Sequence, residues 1–81
     1  MARNDGVEVR KERIAKVNET IVALLYADKD KADIPLDKLI AELEYSTGLT
    51  AKRILEYASI GEKRGRFAID AKNNRIRKLE S

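Results

Sequence analysis

The chain of 81 residues contains no Cys, no His and no Trp. Without Cys it can form no disulfide, zinc knuckle or thiolate nucleophile, and without His it lacks the commonest general base and metal ligand. No apolar run approaches the roughly 18–20 residues of a membrane-spanning helix, and the polar first residues lack the apolar core of a signal peptide. We therefore expect a cytoplasmic protein with no metal site, no cofactor and no membrane contact.

Gln is also absent, and 38% of the residues are charged. This combination is typical of proteins from hot environments and suggests a thermophile as the source. A chain of this length has room for one domain, and it buries only about 60–65% of its unfolded surface. We therefore expect one small core and no deep pocket for a small-molecule substrate.

Charge is distributed unevenly along the chain. Residues 1–47 carry 8 basic and 10 acidic side chains, whereas residues 48–81 carry 9 basic and 4 acidic ones. The overall charge of +3 therefore combines a slightly acidic N-terminal half with a basic C-terminal half. A basic surface attracts polyanions, and the alternative interpretation is an ordinary solvated surface.

An amphipathic helix is predicted near the start of the chain. Residues 1–7 are expected to form a flexible tail and residues 8–81 a single domain. From about residue 8 to 27, apolar residues recur at three- and four-residue steps. The residues expected on the buried face are Ile14, Val17, Ile21, Leu24 and Leu25. A second stripe is either the edge of the core, which we favour, or a dimer contact; it consists of Ala15, Val22 and Tyr26.

A charged connector, Asp28–Asp33, follows this helix. Its Asp-x-Asp start resembles a calcium-binding loop. In such a loop position five supplies an oxygen ligand, position six is Gly and position twelve is Glu. Those positions hold Ala32, Asp33 and Leu39 here, so we exclude calcium.

A second helix is predicted after Ile34-Pro35-Leu36, which should be extended because Pro disfavours helix in the residue before it. Asp37 is the predicted N-cap. Gly48 suits the left-handed residue that ends such a helix. The inward residues are Leu36, Leu39, Ile40 and Leu43.

Thr50 can cap a third helix that runs to about Arg64 and ends before Gly65. Gly61 lies inside this helix, where Gly costs up to about 1 kcal/mol relative to Ala. It either permits close packing or ends the helix early. The short Gly-containing turn between the second and third helices gives a helix-turn-helix arrangement.

The remaining residues predict a β-hairpin. Apolar and polar residues alternate over 66–70, which places Phe67 and Ile69 on one face. The turn is Lys72-Asn73-Asn74, because Asn tolerates positive φ. A second strand follows, with Ile76 inward.

The order helix, short strand, helix, Gly turn, helix and hairpin over residues 8–79 resembles that of the winged-helix (winged helix-turn-helix) DNA-binding domain superfamily. The resemblance rests on the segments Ile34–Leu39 and Gly48–Thr50 and on Gly65 just before Arg66–Asp70. It implies an α+β fold of three helices with a small antiparallel sheet, the C-terminal β-hairpin being the wing. In that superfamily the third helix usually enters the major groove and the wing contacts the backbone or minor groove. Many members are dimeric transcription regulators, and some bind only proteins.

Base recognition needs donors and acceptors on one exposed helix face. Arg53 can read guanine, Lys52 can contact guanine or phosphate, and Glu56 can accept from cytosine. At 100° per residue, the third helix should bury Ala51, Ile54, Leu55, Ala58 and Gly61 and expose Lys52, Arg53, Glu56, Ile60 and Lys63, with Tyr57 and Ser59 at the margins.

Two residues of this helix raise separate questions. Tyr57, at the margin, can reach a phosphate oxygen. Ile60 gains nothing from an exposed position. It either meets a thymine methyl, contacts a partner chain or shows that the assumed helix phase is wrong, which we favour.

The hairpin carries several basic residues, of which Lys72 and Arg75 flank the predicted turn. Basic groups placed at phosphates release counterions and make binding salt-dependent. Alternatively, these charges protect an exposed strand edge from aggregation. The complete set of candidate DNA-binding residues is Thr50, Lys52, Arg53, Glu56, Tyr57, Lys63, Arg66, Lys72, Asn73, Arg75 and Arg77.

These observations predict a duplex-DNA-binding protein, a small transcription regulator that acts as a homodimer because one such module makes few phosphate contacts. The alternative is a winged-helix protein-interaction module that uses Ile60 or the second stripe of the first helix. An enzyme is not expected: Glu42 and Glu44 diverge on a helix, and the chain has no Gly-rich phosphate cradle. The few aromatic residues are scattered, which disfavours single-stranded RNA.

Overall fold

The sequence predicts the order of elements from helical periodicity and from short segments in which apolar and polar residues alternate. The computed structural model of the chain describes residues 5–79 and the side chains of residues 9–79. Within that part lie three helices and a small antiparallel sheet, so the α+β, winged-helix-like layout is confirmed. The helices are α1 (Asp5–Leu25), α2 (Leu36–Thr47) and α3 (Ala51–Lys63), and the strands are β1 (Asp33–Pro35), β2 (Ala68–Asp70) and β3 (Arg75–Arg77).

The sheet has the order β1-β3-β2, with both neighbouring pairs antiparallel. Ile76 of the central strand pairs with Ile34 of β1 on one side and with Ile69 of β2 on the other. Ile76 is fully buried, and the two flanking isoleucines pack against the core. Pro35 lies on an edge strand, where its missing N–H costs no ladder hydrogen bond.

The core lies between the three helices and the inner face of this sheet. Leu24, which periodicity places on the buried face of α1, is 41% exposed. That prediction is wrong because the buried stripe is centred on Val17, Ile21 and Leu25, and Leu24 falls beyond its edge. The buried apolar residues are Val17, Ile21, Leu25, Leu36, Leu39, Leu43, Ile54, Tyr57, Ala58, Phe67 and Ile76.

Helix α1 begins at Asp5, three residues before the predicted start at residue 8. The predicted tail over residues 1–7 thus lies partly in α1 and partly in residues 1–4, outside the described residues. In the second stripe of α1, Val22 packs against the core while Ala15 and Tyr26 are exposed. The packing of Val22 agrees with the core-edge interpretation.

The start of α2 is capped by a distant residue and not by Asp37. The helix begins at Leu36, with Pro35 at the N-cap position and no cap from its own side chain. Asn74, in the hairpin turn, accepts hydrogen bonds from the N–H of Leu36 at its backbone oxygen (2.9 Å) and from the N–H of Asp37 at Oδ1 (3.0 Å). The prediction of Asp37 as N-cap is wrong because two free N–H groups of the first turn already have these acceptors. Asp37 instead lies in the first turn, where its charge favours the helix dipole.

The turn between α2 and α3 matches the prediction from Gly48 and Thr50. Gly48 has a left-handed φ of 76° and donates its N–H to the oxygen of Glu44 at 2.9 Å. The Thr50 hydroxyl accepts a hydrogen bond from the N–H of Arg53 at 3.3 Å. These two caps position α3 on the rest of the fold.

Gly61 marks the closest approach of α1 and α3. A Cβ at this position would lie 2.1 Å from Asn18 Oδ1 of α1 and 2.8 Å from Phe67 Cζ. Asn18 is 4% exposed and donates through Nδ2 to the backbone oxygens of Ile14 (2.9 Å) and Tyr57 (3.0 Å). Gly61 therefore permits close packing, and the alternative of an early helix end is wrong, because α3 continues to Lys63.

Candidate nucleic-acid interface

Helix α3 is rotated about its axis relative to the predicted projection, by roughly 45° at 100° per residue. Tyr57 is only 4% exposed, whereas Leu55, predicted to be buried, is 36% exposed. The predictions for both residues are wrong because the buried face is centred between Ile54 and Gly61. Tyr57 consequently belongs to the core and leaves the set of phosphate contacts. Ile60 is partly buried, so the favoured explanation of its position, a wrong helix phase, is confirmed.

The outward face of α3 is a stripe of Lys52, Glu56, Ser59 and Lys63, which recur at steps of three and four residues. Lys52, Glu56 and Lys63 are exposed, and Ser59 is partly buried, with its hydroxyl donating to the backbone oxygen of Leu55 at 2.9 Å. The stripe offers two ammonium groups and one carboxylate to a partner. We call it the outward stripe below.

Arg53 lies beside the outward stripe and forms an ion pair with Glu56. Its Nη1 is 3.2 Å from Glu56 Oε1, and the two side chains are 53% and 47% exposed. Because exposed pairs of this kind are worth at most about 1 kcal/mol, a phosphate or guanine can replace Glu56 as the partner of Arg53, and a cytosine amino group can replace Arg53 as the partner of Glu56. Thr50, the exposed N-cap, accepts from the N–H of Arg53 and keeps its own O–H as a donor.

The two arginines of β3 are paired within the chain. Arg75 donates through Nε to Asp33 Oδ1 at 3.0 Å, with a second contact from Nη2 to the same oxygen, and thereby links β3 to β1. Arg77 donates through Nη2 to Asp70 Oδ2 at 3.0 Å. Arg75 flanks the turn as predicted, because β3 begins there, but its guanidinium faces across the sheet and pairs with Asp33.

The tip of the hairpin is organised by Asp70. Its carboxylate accepts from the Asn73 side chain (2.9 Å) and from the Asn73 backbone N–H (3.3 Å) in addition to Arg77. The Asn73 side-chain hydrogen bond is the main reason why the pKa of Asp70 lies below its ordinary value, and the Asn73 N–H and the charge of Arg77 lower it further. Asn74, with a φ of 56°, completes the turn. Lys72 is left exposed at the tip with no ion pair to a described side chain.

Five exposed basic residues after the second helix form no ion pair with another side chain of residues 9–79. Arg64 is the C-cap of α3 and is not among the predicted DNA-binding residues. Arg66 is exposed, and its backbone oxygen accepts from the Tyr26 hydroxyl at 3.4 Å. The five residues are Lys52, Lys63, Arg64, Arg66 and Lys72.

The base of the hairpin is fastened to the end of α1 by Tyr26, a candidate dimer contact. Its hydroxyl accepts from the N–H of Leu79 at 3.3 Å, and Lys78 Nζ lies 5.5 Å from the centre of its ring. Lys78 also donates to the backbone oxygen of Asp28 at 2.7 Å. The aromatic ring of Tyr26 thus has a role within one chain.

Comparison of the chain with protein-family models, with curated proteins and with solved structures found no match. Over the described residues, none of the helices combines the length and apolar character that crossing a membrane requires. The same part of the chain contains no cluster of three or more Asp or Glu side chains that could hold a metal ion.

Proposed function

We propose that this chain binds duplex DNA as a winged-helix transcription regulator. The observation that carries the proposal is the outward stripe of α3, which combines exposed Lys52 and Lys63 with Glu56 in a winged-helix-like layout. An α-helix fits the major groove, and base edges are read by side chains on its exposed face. A fold alone does not define a function, so the proposal depends on these side chains.

Direct reading of bases is assigned to the start of the outward stripe. Arg53 can form a bidentate contact with guanine when its ion pair with Glu56 breaks. The freed Glu56 carboxylate can then accept a hydrogen bond from the amino group of cytosine. Lys52, one residue earlier, can bind guanine or an adjacent phosphate. The hydroxyl of Thr50 and the side chain of Asn73 are suited to phosphate oxygens, since neutral donors position a protein without reading sequence.

Backbone contacts are assigned to the exposed cations outside the base-reading set. Lys63 lies at the far end of the stripe, Arg66 follows α3, and Lys72 lies at the tip of the hairpin. Each cation placed at a phosphate contributes about 0.9 to the slope of log K against log salt concentration. Because a single chain offers few such cations, we propose that two chains bind together as a homodimer.

Fluorescence anisotropy of a labelled mixed-sequence duplex, repeated across a salt series, tests the proposal. We expect binding in dilute buffer that weakens steeply with salt, and a slope lowered by about 0.9 in each of Lys63→Ala and Lys72→Ala. Lys29→Ala is the matched control, because Lys29 is exposed in the connector between α1 and β1, far along the chain from the outward stripe. The absence of binding at low salt would refute DNA recognition.

The alternative, a protein-interaction module, is favoured by a different observation. Arg53, Arg75 and Arg77 each pair with a carboxylate of the same chain. Such pairing reduces the charge available to phosphates. A chain that binds no duplex would therefore be examined for protein partners.

A further inference from the structure

A groove of about 740 Å³ lies between α1 and the C-terminal end of α3. Its floor combines the apolar side chains of Ile14 and Ala15 from α1 and Ile60 from α3 with Gly61 and the buried amide of Asn18. The two isoleucines are partly buried and Ala15 is exposed, so apolar surface remains accessible along the groove. The volume falls within the roughly 300–1,000 Å³ of known ligand sites and exceeds the space that one large apolar side chain needs.

The rim of the groove is basic. Lys11, Arg64 and Arg66 line it, with Glu19 as the one acidic residue. All three cations are exposed, and none pairs with a described carboxylate. The negative end of the α3 dipole favours Arg64 at this place, but it does not account for Lys11, which comes from another helix.

This rim differs from the three arginines of the fold that form ion pairs. Arg53, Arg75 and Arg77 are each neutralised by a carboxylate of the same chain. At the groove, three like charges instead line the same apolar surface without an ion pair to any carboxylate of residues 9–79. An occupant that supplies both negative charge and an apolar group satisfies the two features together.

We propose that this groove binds an acidic segment of a partner protein, with one Leu, Ile or Phe side chain of the segment seated on the floor. Flanking Asp or Glu carboxylates of the partner pair with Lys11, Arg64 and Arg66. The α1 residues that line the groove span Lys11 to Glu19, or about 12 Å at 1.5 Å per residue, which matches two turns of a bound helix. Duplex DNA fits less well because its phosphates gain nothing from an apolar floor. The proposal does not depend on DNA binding by the outward stripe.

The test is selection of a displayed library of random peptides, about twelve residues long to cover the groove, on the immobilised full chain. We expect the selected peptides to contain Leu, Ile or Phe between Asp and Glu residues. In two-dimensional NMR of the labelled chain, a selected peptide should shift the amide signals of α1 residues 11–19 and of Ile60, and leave those of Lys52 and Glu56 unchanged.

Two variants locate the binding on the groove. Ala15→Glu fills the floor with a charged side chain and should weaken the peptide at least about tenfold, while Lys11→Glu should weaken it about three- to tenfold. The matched controls are Ala23→Glu, at another exposed alanine of α1, and Lys29→Glu, with the same change of charge in the connector. Both control variants should bind the selected peptide as tightly as the unaltered chain does.

Several outcomes would overturn the proposal. Failure to enrich any peptide, enrichment of basic or purely apolar peptides, or equal binding by Ala15→Glu would each exclude an acidic partner at this groove. Self-association of the chain through the groove, seen as NMR shifts of the same residues on concentration without peptide, would assign it to a second copy. Shifts of the amide signals of α1 residues 11–19 on addition of duplex DNA without peptide, lost in Lys11→Glu, would assign it to nucleic acid.

Discussion

Replacement of Gly61 by Ala should destabilise the fold even though Ala is the better helix former. The added Cβ would lie 2.1 Å from Asn18 Oδ1, 2.7 Å from Asn18 Cγ and 2.8 Å from Phe67 Cζ. Asn18 cannot move freely, because its Nδ2 donates to the oxygens of Ile14 and Tyr57. Phe67 is 1% exposed and belongs to the core cluster. The α1–α3 contact must therefore open, or the Asn18 amide must leave its two acceptors.

The size of the stability loss in Gly61→Ala follows from opposing contributions. Ala in place of Gly favours the helix by about 1 kcal/mol. Overpacking against Phe67 costs about 1–3 kcal/mol, and leaving the buried Asn18 amide without its two acceptors costs about 1–3 kcal/mol. We expect a net loss of about 3 kcal/mol in the free energy of unfolding. For a domain of this size, each kcal/mol lowers Tm by roughly 4–8 °C, so Gly61→Ala should melt well over ten degrees below the unaltered chain.

Urea unfolding followed by circular dichroism measures this loss. Glu56→Gly and Glu56→Ala provide the matched control, because Glu56 is exposed in the same helix and Ala should there be the more stable variant by about 1 kcal/mol. The double variant Asn18→Ala with Gly61→Ala should recover part of the loss, since the closest atom is removed, and a coupling energy of about 0.5–3 kcal/mol is expected. A Gly61→Ala chain as stable as the unaltered one would refute the close contact between α1 and α3.

Three further predictions concern the hairpin and the proposed interface. Asn74→Gly keeps the positive φ but removes the Oδ1 cap of Asp37, so it should lower the free energy of unfolding by about 1 kcal/mol in urea titration; no change would contradict the cap. Because hydrogen bonds from Asn73 lower the pKa of Asp70 in the folded chain, its stabilising contribution is present above the unfolded pKa of about 3.9 and is lost as pH falls through the folded pKa. Asp70→Asn should accordingly be less stable than the unaltered chain at neutral pH and equal to it in strong acid, and a difference that persists in acid would argue against this linkage. Arg53→Ala should relax sequence preference among DNA duplexes in anisotropy competition, while Lys72→Ala should weaken all duplexes alike; equal effects of both would mean that α3 does not read bases.

The order of elements was predictable because its signals are local. Apolar spacing, the left-handed Gly48 and the capping hydroxyl of Thr50 act within a few residues, and the three helices and the turn that they predict are confirmed by the structure. The phase of α3 was not predictable to the same degree. A helical projection ranks Leu55 and Tyr57 only by their angle from the assumed centre of the buried face. Packing against α1 placed that centre closer to Tyr57.

Contacts between distant residues account for most of the differences at the candidate site. Asn74 caps α2 across 37 positions, Asn18 reaches the backbone of Tyr57 across 39, and Arg75 meets Asp33 across 42. No local pattern specifies such pairs. Asn18 did carry a signal, since a polar residue within the apolar stripe of the first helix needs buried partners, and Gly61 inside a helix indicates a close neighbour.

The same long-range contacts change what the charge count means for DNA binding. Nine basic residues follow position 47, and if all nine lay at phosphates, the slope of log K against log salt concentration would be about −8 for one chain. Arg53, Arg75 and Arg77 are already paired with carboxylates, and Lys78 is held at the base of the hairpin. The five exposed cations without an ion pair among residues 9–79 give a slope of about −4.5 per chain. A measured slope near −4.5 per bound chain would therefore mean that the internal ion pairs persist on DNA, whereas a value of about −7 would mean that phosphates displace Glu56, Asp33 and Asp70.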